Sequence, residues 1–188
     1  MSAPLKYKVS TPPASEPISL SEAKLYLRVD TSADDALITA LITAARESVE
    51  LYTSRALVTQ TVTQKLDCFP SFGFRLAVHP VASITSIEYK DSNGDTQTLS
   101  TSVYMLDNYD LPNAVVLKAN QMFPTTYLED NAVTVTFVAG EAAGSVPKAI
   151  LQAIYLTLTD FYENRTNYVK RLPTAAEYLL NQYRVFVF

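Results

Sequence analysis

Residues 19–53 read SLSEAKLYLRVDTSADDALITALITAARESVELYT, and this stretch decides the fold. Ser19-Leu20-Ser21-Glu22 fits a capping box, in which Ser19 accepts from an early helix N–H while Glu22 reaches back to the N-cap. A short helix is therefore expected from about Leu20 to Leu27. Ser32 gives a second start signal, with Asp34 and Asp35 in the first turn, where the helix dipole favours negative charge. From there Leu37, Ile38, Leu41, Ile42, Ala45, Val49 and Tyr52 recur at three- and four-residue spacing, one apolar stripe on a helix to about Thr53. The two helices are expected to pack as a hairpin.

On the N-terminal side, Pro4, Pro12, Pro13 and Pro17 block regular helix, so residues 1–17 read as an extended arm. On the C-terminal side the period changes after Leu57. Thr and Val dominate 58–66, and short apolar runs follow at 74–78, 84–89, 103–106, 114–117 and 133–138. These predict a small sheet. Asn93-Gly94 sits between Ile84–Tyr89 and Thr96–Leu99 and signals a two-residue hairpin, because a type I′ turn needs positive φ at both central positions. Ser145-Val146-Pro147 opens a third helix carrying Ile150, Ala153, Ile154, Leu156, Leu158 and Phe161, apolar on most sides and so expected at the centre. It ends near Asn164-Arg165-Thr166. A weaker helix from about Thr174 to Tyr183 leads into Val185-Phe186-Val187-Phe188, an apolar tail with no following element to cover it.

The expected architecture is α+β: a helical bundle, built from an N-terminal helical hairpin and C-terminal helices, with a central small antiparallel β-sheet insertion. In residue terms this is an arm at 1–17 and one domain at 18–183, with helices at about 20–55, the β insertion at about 58–140 and helices at about 146–183. A tail follows at 184–188.

Composition narrows the function. The chain has 188 residues, 48% hydrophobic and 18% charged, the profile of a globular protein. No apolar run reaches the roughly 18–20 residues of a membrane span, and MSAPLKYKVSTPP lacks the apolar core of a secretory signal, which points to synthesis in a cytoplasm and no membrane partner. Cys68 is the one cysteine and His79 the one histidine, so an internal disulfide and a His/Cys zinc site within one chain are excluded. Gly73, Gly94, Gly140 and Gly144 form neither G-x-G-x-x-G nor a P-loop. No cofactor or metal is expected.

Individual candidates for chemistry read better as structure. Asp91-Ser92-Asn93-Gly94-Asp95 spaces oxygens as a calcium loop does, but Thr96 and Ser102 stand where that loop needs Gly and Glu. It reads as a turn. His79 precedes Pro80 at a strand end, and nothing supplies a nucleophile elbow for it to serve. The pairs Asp34/Asp35 and Glu129/Asp130 are adjacent in sequence and cannot converge on one atom in a regular element.

Charge and aromatic placement are more telling. Residues 1–147 hold 10 basic and 16 acidic residues, net −6, and residues 148–188 hold 5 and 3, net +2. The largest basic cluster is Lys170-Arg171, too little to grip phosphates, whose binding is mostly electrostatic. Of 12 tyrosines, Tyr155, Tyr162, Tyr168, Tyr178 and Tyr183 fall near the C-terminus, a residue type suited equally to core and interface. A free Val-Phe-Val-Phe end is an aggregation hazard unless a partner strand or groove receives it.

Glu16–Lys24 with Leu27-Arg28-Val29-Asp30, then Asp34–Ile38 and Ala44-Ala45-Arg46, resemble the N-terminal signature of head-tail connector (adaptor) proteins of long-tailed DNA bacteriophages. Ser83–Ile87 with the Asn93-Gly94 hairpin, Val133–Gly140, Val146–Ile150 and Phe161–Arg165 are similar to later stretches of that family, in the same order. The resemblance spans about residues 10–185, and its specificity lies in the order and separation of the motifs. It implies a non-enzymatic virion protein at the neck, the head-tail junction, whose copies form a ring, usually dodecameric, beneath the portal. DNA passes through that channel without specific binding, and a tail-side stopper or tail-completion protein is the next neighbour. The basic C-terminal end, Lys170, Arg171, Arg184, Val185, Phe186, Val187 and Phe188, is then the expected portal-docking element. Ser19, Glu22 and Ser32 are expected as helix caps. A more distal neck part is the alternative, and a small soluble enzyme acting through His79 the remote one.

Overall fold

The computed structural model describes residues 6–164 and 172–186. These form two compact units, one from Pro13–Val58 and Glu141–Arg184, the other from Thr59–Gly140 and the chain ends. The class is α+β, with four helices and antiparallel sheets among the described residues.

The first unit is helical. Helix α1 spans Leu20–Leu27 and starts on the capping box: the Glu22 N–H donates to Ser19 Oγ at 3.3 Å, and the Ser19 N–H donates to the Glu22 carboxylate at 2.8 Å. The two bonds satisfy donors that a helix start leaves open, and the Ser19 hydroxyl, donating to Glu22 Oε2 at 2.6 Å, together with the Ser19 N–H holds the Glu22 carboxyl below the usual range. Arg28, at φ 58°, ends the helix in the left-handed conformation. Helix α2, Asp35–Thr53, starts later than Ser32 predicts. Asp34 takes the N-cap position and Ser32 makes only a backbone turn to Asp35. Nor does Asp34 cap with its side chain, because that carboxylate accepts instead from the Tyr162 hydroxyl at 2.6 Å.

Helix α3, Lys148–Glu163, follows Pro147 and ends at Asn164; helix α4 spans Thr174–Leu180 and continues as a 3₁₀ turn at Asn181–Tyr183. Helix α3 packs against α1, α2 and α4, the central place its apolar girth requires. One core unites Ala23 of α1, Ile38, Ile42, Ala45 and Val49 of α2, Ile150, Ala153, Ile154 and Leu158 of α3, and Ala176 and Leu180 of α4. The spacings of four, three and four along α2 put one face into that core.

The second unit contains two sheets where the sequence predicts one. Strands β1 (Lys6–Thr11), β2 (Gln60–Leu66), β4 (Val81–Lys90), β5 (Thr96–Thr98) and β8 (Val133–Ala139) form a five-stranded antiparallel sheet in the order β1-β2-β8-β4-β5. Strands β3 (Gly73–Arg75), β6 (Tyr104–Asp107) and β7 (Ala114–Leu117) form the other, in the order β3-β7-β6. Residues 6–11 of the extended arm are thus an edge strand, paired antiparallel with β2 from Lys6↔Lys65 to Val9↔Val62.

Strand β8 lies at the centre and alternates strictly, with Val133, Val135, Phe137 and Ala139 buried. Its neighbours place Val62 and Gln64 of β2, and Ile84 and Ile87 of β4, on the same face. The buried Gln64 amide accepts from the Ala77 N–H at 2.8 Å and donates to the Arg75 carbonyl at 3.1 Å, tying the chain after β3 onto this inner face. Gly73 of β3 has φ 137°, and a Cβ there would stand 2.4 Å from the Val115 carbonyl oxygen, so the close approach of β3 to β7 requires glycine.

The β4–β5 hairpin is a different turn from the one expected. Thr96 pairs with Lys90, so residues 91–95 form the loop, and of its central pair only Gly94 has positive φ (87°). The Gly94 N–H donates to Asp91 O, a type I turn closed by a left-handed glycine. Asp91 Oδ1 accepts the Asn93 and Asp95 N–H groups and Oδ2 accepts from Gln97, bonds that keep the Asp91 carboxyl below the usual range. With those oxygens occupied by the turn, Asp91 serves the hairpin.

Candidate assembly surfaces

A polar network at the base of α2 fixes the helical unit. Arg46, only 4% exposed, donates from Nε to Glu16 Oε2 at 2.8 Å and from an η nitrogen to Glu50 Oε2 at 2.6 Å. Glu16 Oε1 also accepts from the Thr43 hydroxyl at 2.9 Å, and Glu50 Oε1 from the Leu57 N–H at 2.8 Å. The entry to α1, the body of α2 and the exit from α2 are thereby joined through one guanidinium. Burial opposes the charge on Arg46, but the two carboxylates outweigh it and raise its pKa. Glu50 behaves the other way: burial pushes its carboxyl above the usual range, although the Leu57 N–H and Arg46 pull it down.

That direction predicts a pH signature. With its folded-state pKa above the unfolded one, Glu50 contributes stability fully below the unfolded glutamate range and loses it as pH rises through the raised value. Wild type and E50Q, compared by urea denaturation, should differ by a constant amount at low pH. In the window just above the ordinary glutamate range the wild type should lose ground to E50Q as pH rises. A difference that stays flat across that window would show that Glu50 is not shifted upward.

The aromatic residues divide between core and surface. Tyr26 stacks on Tyr155 with centroids 4.6 Å apart, and Gln152 donates to the Tyr26 hydroxyl. Tyr183 packs on the helical core, whereas Tyr178 is exposed; Tyr168 lies outside the described residues. In the β unit Phe69 stacks on Phe123 at 4.7 Å, and the flanking Phe72 and Met122 are exposed.

The residues expected to dock a partner are only partly placed. The Arg184 guanidinium lies 4.8 Å from the centroid of the Tyr52 ring, and the Tyr52 hydroxyl donates to Asn181 at 2.7 Å, so the root of the tail is held to α2. Val185 is buried at 9% exposure, which corrects the reading of an uncovered tail at that residue. Phe186 is 55% exposed. Lys170, Arg171, Val187 and Phe188 lie outside the described residues. His79 is fully buried in the β unit, where its Nδ1 accepts from the Asn113 N–H at 3.1 Å and Asn113 in turn accepts from the Val81 N–H. That geometry gives His79 a structural role.

Two further surfaces belong to the five-stranded sheet, whose edges are β1 and β5. Every residue of both strands is exposed. No helix among the described residues is long and apolar enough to cross a membrane.

Sheet edges left without a pairing strand among the described residues, and large exposed apolar side chains, are features of surfaces that meet a partner. The family model for the Phage gp6-like head-tail connector protein matches residues 17–122, more than half of the chain. The chain belongs to that family, and its role is that of a structural connector. No curated protein matches it. Among solved structures, its fold is similar to a chain in the virion of a native gene transfer agent particle, at 22% identity and TM-score 0.81 over 97% of this chain and 96% of that one. It is also similar to a chain in the neck of the empty particle, computed with C6 symmetry, at 21% identity and TM-score 0.82 over 97% of each. A third similarity, at 21% identity and TM-score 0.73, covers 99% of this chain and 97% of a chain in the neck of the native particle, computed with C12 symmetry.

Proposed function

We propose that copies of this chain form a twelve-membered ring in the neck of a tailed phage particle, below the portal, and extend the channel through which DNA leaves the head. What carries this reading is the match of a connector-family chain, over nearly its whole length, to the fold of a neck protein from a particle treated with twelve-fold symmetry. In this reading the helical bundle with its β insertion, residues 18–183, is the connector body. A tail-side stopper or tail-completion protein takes the opposite face of the ring.

The acidic balance of residues 1–147 suits a channel wall, because like charge shortens the residence of DNA on it. The C-terminal segment is the portal-docking end. Arg184, held over Tyr52, anchors the start of that segment on the helical unit.

Chromatography with light scattering, on the chain mixed with its portal, tests both statements. A large complex is expected with the full chain, and its loss is expected with a chain ending at Tyr183. A full-length chain that ignores the portal would move the protein to a more distal neck position. A complex unaffected by the truncation would remove the docking role from the C-terminus.

A further inference from the structure

The five-stranded sheet has an inner apolar face that outruns its own cover. Two rows cross it, Tyr7–Gln64–Val135–Ile87 and Val9–Val62–Phe137–Ile84. All members of the inner strands are buried or nearly so, yet at the edge Tyr7 is 48% and Val9 45% exposed. A strand carrying half-bare apolar side chains on its core side, with no strand paired to its outer edge among the described residues, is a template for another strand.

The charge pattern says which strand. On the outer face one row runs Lys6–Lys65–Thr134–Glu88–Thr98, with lysine at the β1 edge and Glu88 one strand in from the β5 edge. Lys6 is paired with Asp67 at 3.0 Å, while Lys8 on the same face is exposed. Beside β5, Glu88 and Asp95 are exposed. Two β1 edges brought together would oppose lysine to lysine. A β1 edge beside a β5 edge instead sets Lys8 beside Thr98, with Glu88 next to Thr98 on the same outer face, and places Tyr7 and Val9 beside Gln97 and Leu99.

We propose that β1 of one copy adds to the β5 edge of the next, making a head-to-tail contact that continues the sheet from subunit to subunit. This rests on the ring reading above and names its interface. Each neighbouring pair in the order β1-β2-β8-β4-β5 is antiparallel, so β1 and β5 point the same way. A contact that repeats by rotation therefore pairs them parallel. Such a heterologous contact closes a ring when the rotation between copies closes, where an edge paired with itself stops at a dimer. Strand β5 has three residues, so the ladder is short and each contact weak. Copies should then remain separate in dilute solution and join when an assembling particle holds them side by side.

The test places cysteines at the two edges, Ser10→Cys and Thr98→Cys, which leave Lys8 in place, in a Cys68→Ser background because Cys68 is exposed. A short bismaleimide is added to the full chain at rising concentration and after its addition to portal-bearing heads. The double-cysteine chain should give a ladder of covalent multimers; an equimolar mixture of the two single-cysteine chains should stop at dimers. Lys8→Glu should cut the yield about tenfold, and adding Glu88→Lys to the same chain should restore it. Covalent dimers from the Ser10→Cys chain alone would overturn the proposal in favour of a two-fold contact. Rings seen by electron microscopy without a ladder would overturn the interface and leave the ring intact. Absence of rings on heads that bind the protein would overturn both.

Discussion

Arg46→Met should destabilise the helical unit by about 3–5 kcal/mol at neutral pH, the range for removing one partner of a buried ionic group. The methionine stem replaces much of the packing of the arginine chain, so the loss is electrostatic. It takes the guanidinium from both carboxylates, while Glu16 keeps the Thr43 hydroxyl and Glu50 the Leu57 N–H. Neither supplies a positive charge. Glu47, 3.6 Å from the guanidinium but largely solvent-exposed, adds little.

The pH dependence of the variant separates this account from simple loss of packing. Burial already lifts the Glu50 carboxyl and Arg46 pulls it back, so removing Arg46 lifts it further. As pH falls through that raised value the carboxylate takes up a proton and the penalty shrinks. Urea denaturation of wild type and R46M at pH 7 and near pH 4 should therefore give a much smaller difference at the lower pH. Adding E16Q and E50Q to R46M should recover most of the loss at pH 7, since a neutral cluster in this site needs no counter-charge. A penalty unchanged by acid and by the neutralising substitutions would assign the effect to packing alone.

Much of this architecture is legible locally, and the illegible parts share a cause. The Ser19–Glu22 box, the α2 stripe and the alternation of Val133–Ala139 depend on neighbours within a few residues, and each can be read from spacing. Strand β1 depends on residues more than 50 positions away, and its own sequence, Lys-Tyr-Lys-Val-Ser-Thr, does not reveal a partner. Ser32 signals the start of α2, whereas the helix begins after Asp34, whose carboxylate is taken by Tyr162 across 128 positions, a contact that nothing nearby in the sequence shows. The dipeptide Asn93-Gly94 is compatible with two turns, and the Lys90↔Thr96 register selects the longer one. Glu16, Arg46 and Glu50 carry no signal as a group until α2 and the segment before α1 are side by side. For the assembly surfaces the apolar tail pointed to a partner, but the uncovered faces of Tyr7 and Val9 emerge only from the strand order.

Phe137→Ala should cost about 3–5 kcal/mol in the β unit, which places it with R46M as the most damaging single change foreseen. Phe137 is fully buried in the central strand of the larger sheet, flanked on the inner face by Val62 of β2 and Ile84 of β4. Because both neighbours are held in an antiparallel ladder, the sheet cannot close over the missing ring, and a cavity remains. Thermal unfolding followed by near-ultraviolet circular dichroism, together with urea denaturation, measures the loss directly. Phe137→Leu, which keeps most of the volume, should cost well under half as much. If alanine and leucine cost the same, the strain lies in ring shape and not in the void. If alanine costs less than about 1 kcal/mol, the inner face of this sheet is not the close-packed core that its burial describes.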